Sequence, residues 1–354
     1  MDDEDLRILK ILIYIIIFLL FGIIIITCSR VPEDLVMTVS GEIPVSEMGT
    51  TLEHEHILVD FIGADSTGYF RWNRDDVIRK AMPFIMTAKE KGLETFIECT
   101  PAYLGRDPLL LKELSEKTGV RFITNTGYYG ARSNLFLPES FNAADASQIA
   151  EIWINEFENG IEDTGVRPGF IKIGVDPDDS LSAEHQKIIK AAAITHLKTG
   201  LHIASHTGPD LPAFEQIKIL KENGVDPSAF IWVHAQNGSL EGNIKAAREG
   251  AWISLDNVHS GVMNVKENQG SINWYCNRIV ELKKEGLLDK VLISHDSGWY
   301  DPAKPDGGEY QGYTIIFDSL LPALRTSGLT ENEINQIIVK NPQEAFRIKV
   351  RRYE

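Results

Sequence analysis

Glycines recur at similar intervals along this chain, at Gly92, Gly119, Gly165, Gly200, Gly224, Gly250 and Gly286, each just past a helix-like stretch. Glycine takes the left-handed C-cap conformation without steric cost, so each marks where a helix stops and the next element begins. The stretches before them, 75–91, 107–118, 143–162, 183–199, 211–223, 239–248 and 270–285, read as helices. Between them lie short apolar runs at 51–59, 94–100, 121–126, 169–175, 201–206, 229–234, 252–256 and 290–296, which read as strands. Two more helical stretches, 311–327 and 330–340, would complete an outer ring. Strands alternating with helices in this way predict the α/β class, here a (β/α)8 TIM barrel. The 354 residues accommodate one such barrel of about 250 residues, with longer loops and an N-terminal segment.

The strand ends carry the chemistry. His54 and His56 end the first run, Lys172 lies in the fourth, His206 and His234 end the fifth and sixth, and Asp296 ends the eighth. Barrel active sites form at the C-terminal ends of the strands, where these residues would converge. His54 and His56 are two apart, so a strand turns both side chains to one face, and paired imidazoles suit zinc. The alternation in Gly169-Phe170-Ile171-Lys172-Ile173-Gly174 sends Ile171 and Ile173 toward the helices and Lys172 inward. Burial disfavours the charged form of an amine. A neutral amine can add carbon dioxide to become a carbamate, an anionic ligand able to bridge two cations. His206 and His234 would then hold a second cation. Asp296 could bind the first and accept a proton from a bridging water, which makes it the expected general base.

The other candidates are weighed against ordinary structural roles. His295 points away from Asp296 by the strand period and is expected to be structural. His202 reads as a packed core histidine, and His185 and His196 as solvent-facing helix residues. Cys99 and Cys276 have no metal-ligand spacing and read as isolated buried thiols. The segments 127–141, 257–269 and 297–311 follow strands and are irregular, as binding loops are. They offer Tyr128, Tyr129, Arg132, His259, Trp299 and Tyr300 as candidates for the substrate pocket.

The net charge of −16 argues against nucleic acid or an anionic membrane surface as partner. Residues 11–27 are apolar and uncharged, at the short edge of the roughly 17–25 residues that span a bilayer. Asp2, Asp3, Glu4 and Asp5 match a basic signal-peptide start poorly, although Arg7 and Lys10 precede the run. Ile25-Ile26-Thr27-Cys28-Ser29 resembles a bacterial lipoprotein cleavage box, with Cys28 as the lipidated residue and Thr27 as a departure. Residues 1–30 are therefore expected to be a signal or lipoprotein leader or a membrane anchor. Residues 31–354 would form a single hydrolase barrel, exported and facing the periplasm or cell exterior. It would touch the membrane only through that anchor or lipid.

Over 36–346 the sequence resembles the phosphotriesterase family of the amidohydrolase superfamily. The stretches MGTTLEHEHILVD, ECTPAYLGRDP, TNTGYY, GFIKIGV, SHT, LISHDSG and KNPQEAF carry the resemblance. It implies two divalent, zinc-class cations, one on His54, His56 and Asp296, the other on His206 and His234. Carbamylated Lys172 (N6-carboxylysine) and a hydroxide would bridge them, the hydroxide attacking substrate and Asp296 taking its proton. It also makes a homodimer possible. Tyr129 matches a tyrosine of lactonase-type members. Phosphotriester specialists recruit a polar relay where this chain has Asn237 and Asn257, and amides cannot relay protons. A lactone or carboxyl ester is therefore the expected small-molecule substrate, with a phosphotriester as the alternative. A mononuclear deaminase-type barrel would want a strand-end glutamate and no Lys172. A non-catalytic surface binding lipoprotein would have no reason to keep six costly polar groups converging inward.

Overall fold

The central strands are built from residues that are buried on both sides, as in Phe230-Ile231-Trp232-Val233 and Val291-Leu292-Ile293. Such uninterrupted apolar strands suit a parallel sheet covered on one face by helices and on the other by its own interior. The computed structural model describes residues 34–177, 180–259 and 271–354, with Asp2, Glu4, Asp5, Arg7, Lys10 and Leu12 near the N-terminus. The chain divides into two units, Met1–Asp34 and Leu35–Glu354. Apart from Leu12, the apolar run 11–27 lies outside the described residues, as does Cys28. Among the described residues no helix is long and apolar enough to cross a membrane.

The second unit opens with a hairpin, β1 (Leu35–Thr38) and β2 (Gly41–Pro44), which the sequence reading did not foresee. The barrel strands follow: β3 (Thr51–Glu55), β4 (Thr95–Glu98), β5 (Arg121–Ile123) with β6 (Asn125–Thr126), and β7 (Phe170–Gly174). They continue with β8 (Ile203–His206), β9 (Phe230–Val233), β10 (Trp252–Leu255) and β11 (Val291–Ile293). All barrel neighbours pair in parallel, in the runs β3-β4-β5 and β6-β7-β8-β9-β10-β11. Thr124 alone separates β5 from β6, so the two form the third barrel strand. The seam between first and last strands is bridged by Asp296 N donating to His54 O at 3.1 Å and His56 N to Ser297 O at 2.9 Å. The expected TIM-barrel architecture is the one observed.

Two cores result. Ile171, Ile173, Ile203 and Ile253 face the helices, while Ile97, Ile123, Phe170, Ile231 and Leu292 fill the interior with Val36 of the hairpin and Phe346. The interior is therefore packed rather than a pore, and open space is left near the strand ends. Local chemistry starts and stops the helices. Ser182 caps Ala183–Thr199 and Gly200 (φ 79°) ends it, while an Asp145–Gln148 capping box opens Ala146–Asn159. The helix expected over 143–162 is observed as Ala146–Asn159, starting at that box, and a separate short helix, Ser140–Ala143, precedes it. The two closing helices are interrupted. Pro322 and Pro342 lack the amide an α-turn needs, and each follows a widened turn, Ile316–Leu320 and Gln336–Lys340.

Two expectations on these helices are corrected. His185 and His196 are helical but buried, not solvent-facing. Each imidazole is satisfied by a main-chain carbonyl that the helix period does not reveal, Gly130 O at 3.0 Å and Leu201 O at 2.7 Å. His202 is the expected buried core residue, bonded to Ser228 O at 3.0 Å. Cys99 and Cys276 are buried free thiols, as expected.

Candidate metal centre

The six predicted ligands meet in one cleft. Its walls are His54, His56, Lys172, His206, His234 and Asp296 together with Val59, Phe61, Cys99, Pro101, Leu104, Tyr129 and Trp299, around about 420 Å³ of open space. His56 Nε2 lies 3.0 Å and His54 Nε2 3.7 Å from Asp296 Oδ1. Lys172 Nζ lies 3.3 Å from His54 Nε2, and His234 Nε2 faces His206 Nδ1 at 2.8 Å. His54, His56 and Asp296 place three ligand atoms within 4.8 Å of one another.

The backbone is shaped to permit this. The register between β3 and β4 shifts between Leu52 and Glu55, so β3 carries a bulge there. Strict alternation would turn Glu53 away from the interior beside His54. Instead Glu53 reaches Ser254 Oγ on β10 at 2.5 Å while both histidines line the cleft. His234 and Asp296 adopt positive φ, 61° and 55°, a conformation that costs roughly 1–2 kcal/mol per non-glycine residue. Such strain is found where side-chain placement is needed for function. Gly127 (φ 125°) lies where an added Cβ would collide with the main-chain carbonyl of Lys172, so only glycine lets the third strand approach that close.

Hydrogen bonds behind the rings fix which nitrogen faces the cleft. One buried carboxylate, Asp256, holds Nδ1 of His54 at 2.9 Å and Nδ1 of His234 at 2.7 Å. His56 Nδ1 meets Thr100 Oγ1 at 2.8 Å, and that hydroxyl donates to Glu98 Oε1 at 2.6 Å, so it accepts from the imidazole. With Nδ1–H donated outward, Nε2 of each ring is a bare lone pair. His56 Nε2 then confronts Asp296 Oδ1 as acceptor against acceptor, a contact that a cation between them resolves. His54, His234 and Asp256 are also close enough to form a ligand cluster. There, however, the carboxylate is engaged by two ring N–H groups, which makes it an orienting group.

The electrostatics agree. Burial first, and Lys172 second, lower the His54 imidazole to about 4. Burial and neighbouring His234 push His206 well below its ordinary value. Both rings are thus neutral at pH 7, the form that binds metal. Burial would raise the Asp296 carboxyl, but positive charge at His56, His54 and His234 outweighs it and holds it at about 2, and a cation between them would act in the same sense. Burial likewise opposes the charged form of His234, yet Asp256 raises it overall. A proton held there would leave as a cation bound. Neutral imidazoles, an ionised carboxylate and a 2 % exposed lysine form a donor set that fits divalent cations of the zinc class.

Of the proposed pocket residues, Tyr129 and Trp299 line the cleft. Tyr129 packs on His206 and Trp299 on His56, with ring centroids 5.1 and 5.7 Å apart. Tyr128 and Tyr300 do not line it. Tyr128 and Tyr129 are consecutive residues of extended chain and project oppositely, so one of them must face away. Tyr128 packs on Trp153 and lines a neighbouring cleft with Tyr103 and Arg106. Tyr300 joins the helix-side core. Arg132 stands over Phe61, at the rim. His259 is half-buried and not a lining residue, and residues 260–269 of its loop lie outside the described residues. His295 is structural as expected, bonded to Glu55 at 2.6 Å and to Ile316 N at 3.0 Å. Asn237 is exposed and Asn257 half-buried, and neither lines the cleft.

Sequence reasoning missed Asp256, Thr100, Glu98, Glu53 and Ser254. The one signal available was the conjunction of Asp256 at a strand end with histidines at the ends of neighbouring strands.

Comparison with known proteins gives the same picture. The Phosphotriesterase family model matches residues 34–346. A phosphotriesterase homology protein of Escherichia coli is 28% identical over 84% of this chain and 98% of its own length. An aryldialkylphosphatase of Saccharolobus solfataricus is 28% identical over 85% of this chain and 95% of its own. Among solved structures, the organophosphorus hydrolase of Deinococcus radiodurans superposes with a TM-score of 0.76 and 27% identity, covering 90% of this chain and 98% of that one. A structure described as organophosphate hydrolysis engineered from a weak promiscuous lactonase template gives 0.77 at 26% identity, covering 88% of this chain and 99% of that one.

Proposed function

We propose that this chain, which belongs to the phosphotriesterase family, is a hydrolase that uses two zinc-class cations to cleave a lactone or carboxyl ester. The observation that carries the reading is the convergence of His54, His56, Lys172, His206, His234 and Asp296 on one cleft, with ring tautomers fixed from behind. His54, His56 and Asp296 would hold one cation and His206 and His234 the other, with Lys172, as its carbamate, between them. When bound, such cations supply Lewis acidity and lower the pKa of a water to near neutrality. Asp296, ionised at neutral pH, is placed to take the proton of that water.

The preference for an acyl substrate rests on Tyr129, which packs on His206 at 5.1 Å and lines the cleft, at the position where lactonase-type members carry a tyrosine. Phosphotriester cleavage is the second reading, favoured by the relatives named aryldialkylphosphatase and organophosphorus hydrolase. The test is metal content per chain after purification without chelator, followed by a panel of lactones, carboxyl esters and phosphotriesters. About two ions per chain are expected, falling when Lys172→Ala removes the bridge, with turnover highest on the acyl substrates. A folded protein that stays metal-free with zinc and bicarbonate supplied would refute the hydrolase reading.

A further inference from the structure

Arg132, Ser133 and Asn134 are three consecutive non-glycine residues with positive φ, at 59°, 58° and 64°. L-residues avoid that conformation and rarely hold it in succession. Here it is pinned from below. The Asp176 carboxylate, in the segment after β7, accepts the backbone N–H of Arg132 at 2.5 Å and of Ser133 at 3.1 Å. The turn sets where the Arg132 side chain lies.

That side chain lies over Phe61, one wall of the cleft, at its rim. Its guanidinium carbon sits 5.2 Å from the Phe61 ring and 5.8 Å from the Phe136 ring. From there two chains of ring contacts run down to the candidate ligands. One passes from Phe61 to Trp299 at 5.5 Å and on to His56 at 5.7 Å. The other passes from Phe136 to Tyr129 at 5.8 Å and on to His206 at 5.1 Å. Among the described residues no carboxylate pairs with this guanidinium, and the residue itself is exposed. Asp176 is engaged by the two backbone amides and stands 3.8 Å from His185 Nε2. A cation held on aromatic faces keeps its N–H edge free, and that edge is the part which grips a carboxylate in bidentate fashion.

We infer that Arg132 is a specificity-determining residue, and that the cleft takes an acyl compound carrying a carboxylate at the far end of a short apolar spacer. The inference rests on the acyl-hydrolase reading above and narrows its substrate class. The scissile carbonyl would lie at the donor set and the spacer against Phe61, Trp299 and Leu104. The anionic end would reach Arg132, whose local field matters in a protein of net charge −16 that otherwise repels anions.

Two experiments separate this from the reading it rests on. In the first, the p-nitrophenyl esters of butyrate and of glutarate, the latter with one free carboxylate, are compared in wild type, Arg132→Gln and Arg132→Lys. The glutarate ester is expected to lose roughly ten- to a hundredfold in KM in Arg132→Gln. Its kcat should be little changed and Arg132→Lys should recover part of the loss, while the butyrate ester is indifferent to both changes. In the second, calorimetric titration of the metal-loaded protein with glutarate and with butyrate reads binding without turnover. Glutarate should bind more tightly than butyrate in wild type but not in Arg132→Gln. Asp176→Ala, which keeps the guanidinium but frees its loop, should weaken glutarate binding as well. Equal losses for both esters, or glutarate binding unaffected by Arg132→Gln, would overturn the proposal. Arg132-dependent glutarate binding without hydrolysis of either ester would uphold it and defeat the ester reading alone.

Discussion

Replacing Asp256 by asparagine should empty one metal position and spare the other, and the hydrogen bonds say which. Asp256 Oδ2 accepts from His54 Nδ1 at 2.9 Å, His234 N at 3.0 Å and Ser254 Oγ at 2.7 Å. Oδ1 accepts from His234 Nδ1 at 2.7 Å and Gln236 Nε2 at 3.1 Å. The backbone amide of His234 cannot change its polarity, so the asparagine oxygen must take the Oδ2 place. Its NH2 then faces His234 Nδ1, which must become an acceptor. That moves the ring proton to Nε2, the atom that would bind a cation. His54 keeps its orientation. Losing one such partner costs about ten- to a hundredfold in metal affinity, or about 1.4–2.7 kcal/mol. Metal content after dialysis against a weak chelator should fall from about two ions per chain to about one. Adding His206→Asn should then remove nothing more, whereas adding His56→Asn should empty the protein. An Asp256→Asn protein that folds and keeps both ions at wild-type affinity would refute the tautomer argument.

Two further outcomes follow from the packing. Gly127→Ala places a Cβ against the Lys172 carbonyl and forces a left-handed alanine, so stability should fall by about 2 kcal/mol or more, read as the midpoint of chemical unfolding. An unchanged midpoint would mean that the third strand can shift away. Burial, helped by Arg351, lowers the His202 imidazole well below its ordinary value, so the folded chain resists a proton that the unfolded chain accepts. Its contribution is therefore complete above about pH 6.5 and declines as pH falls below that, by at most about 1.4 kcal/mol per pH unit. His202→Gln, which retains a donor toward Ser228 O, should flatten that slope in unfolding measured from pH 8 to pH 5. An identical slope would show that the titration lies elsewhere.

The barrel was legible because its signals are local and repeated. The glycine after each helix and the short buried runs needed no tertiary information, and Lys172 between Ile171 and Ile173 announced an inward face by alternation alone. What escaped depends on partners distant in sequence. Asp256 looks like any strand terminus until the fold brings His54 and His234 to its two oxygens. His185 looks solvent-facing on its helix until Gly130 O appears beside its ring. The hairpin at Leu35–Pro44 is too short for its pattern to stand out, and only the open end of the barrel gives it work. Tyr128 faces away for a simpler reason: it and Tyr129 are adjacent on an extended backbone, which cannot turn both to one wall.

The seam across which Asp296 N bonds to His54 O joins strands from opposite ends of the barrel sequence. As the ribosome releases this chain, the first two ligands emerge early and wait for the sixth through nearly the whole of synthesis. A fragment lacking the last strand would carry five of the six candidate ligands but neither Asp296 nor the seam that holds His54 and His56 in place. Loading of the proposed cation on His54, His56 and Asp296 would thereby be tied to completion of the fold.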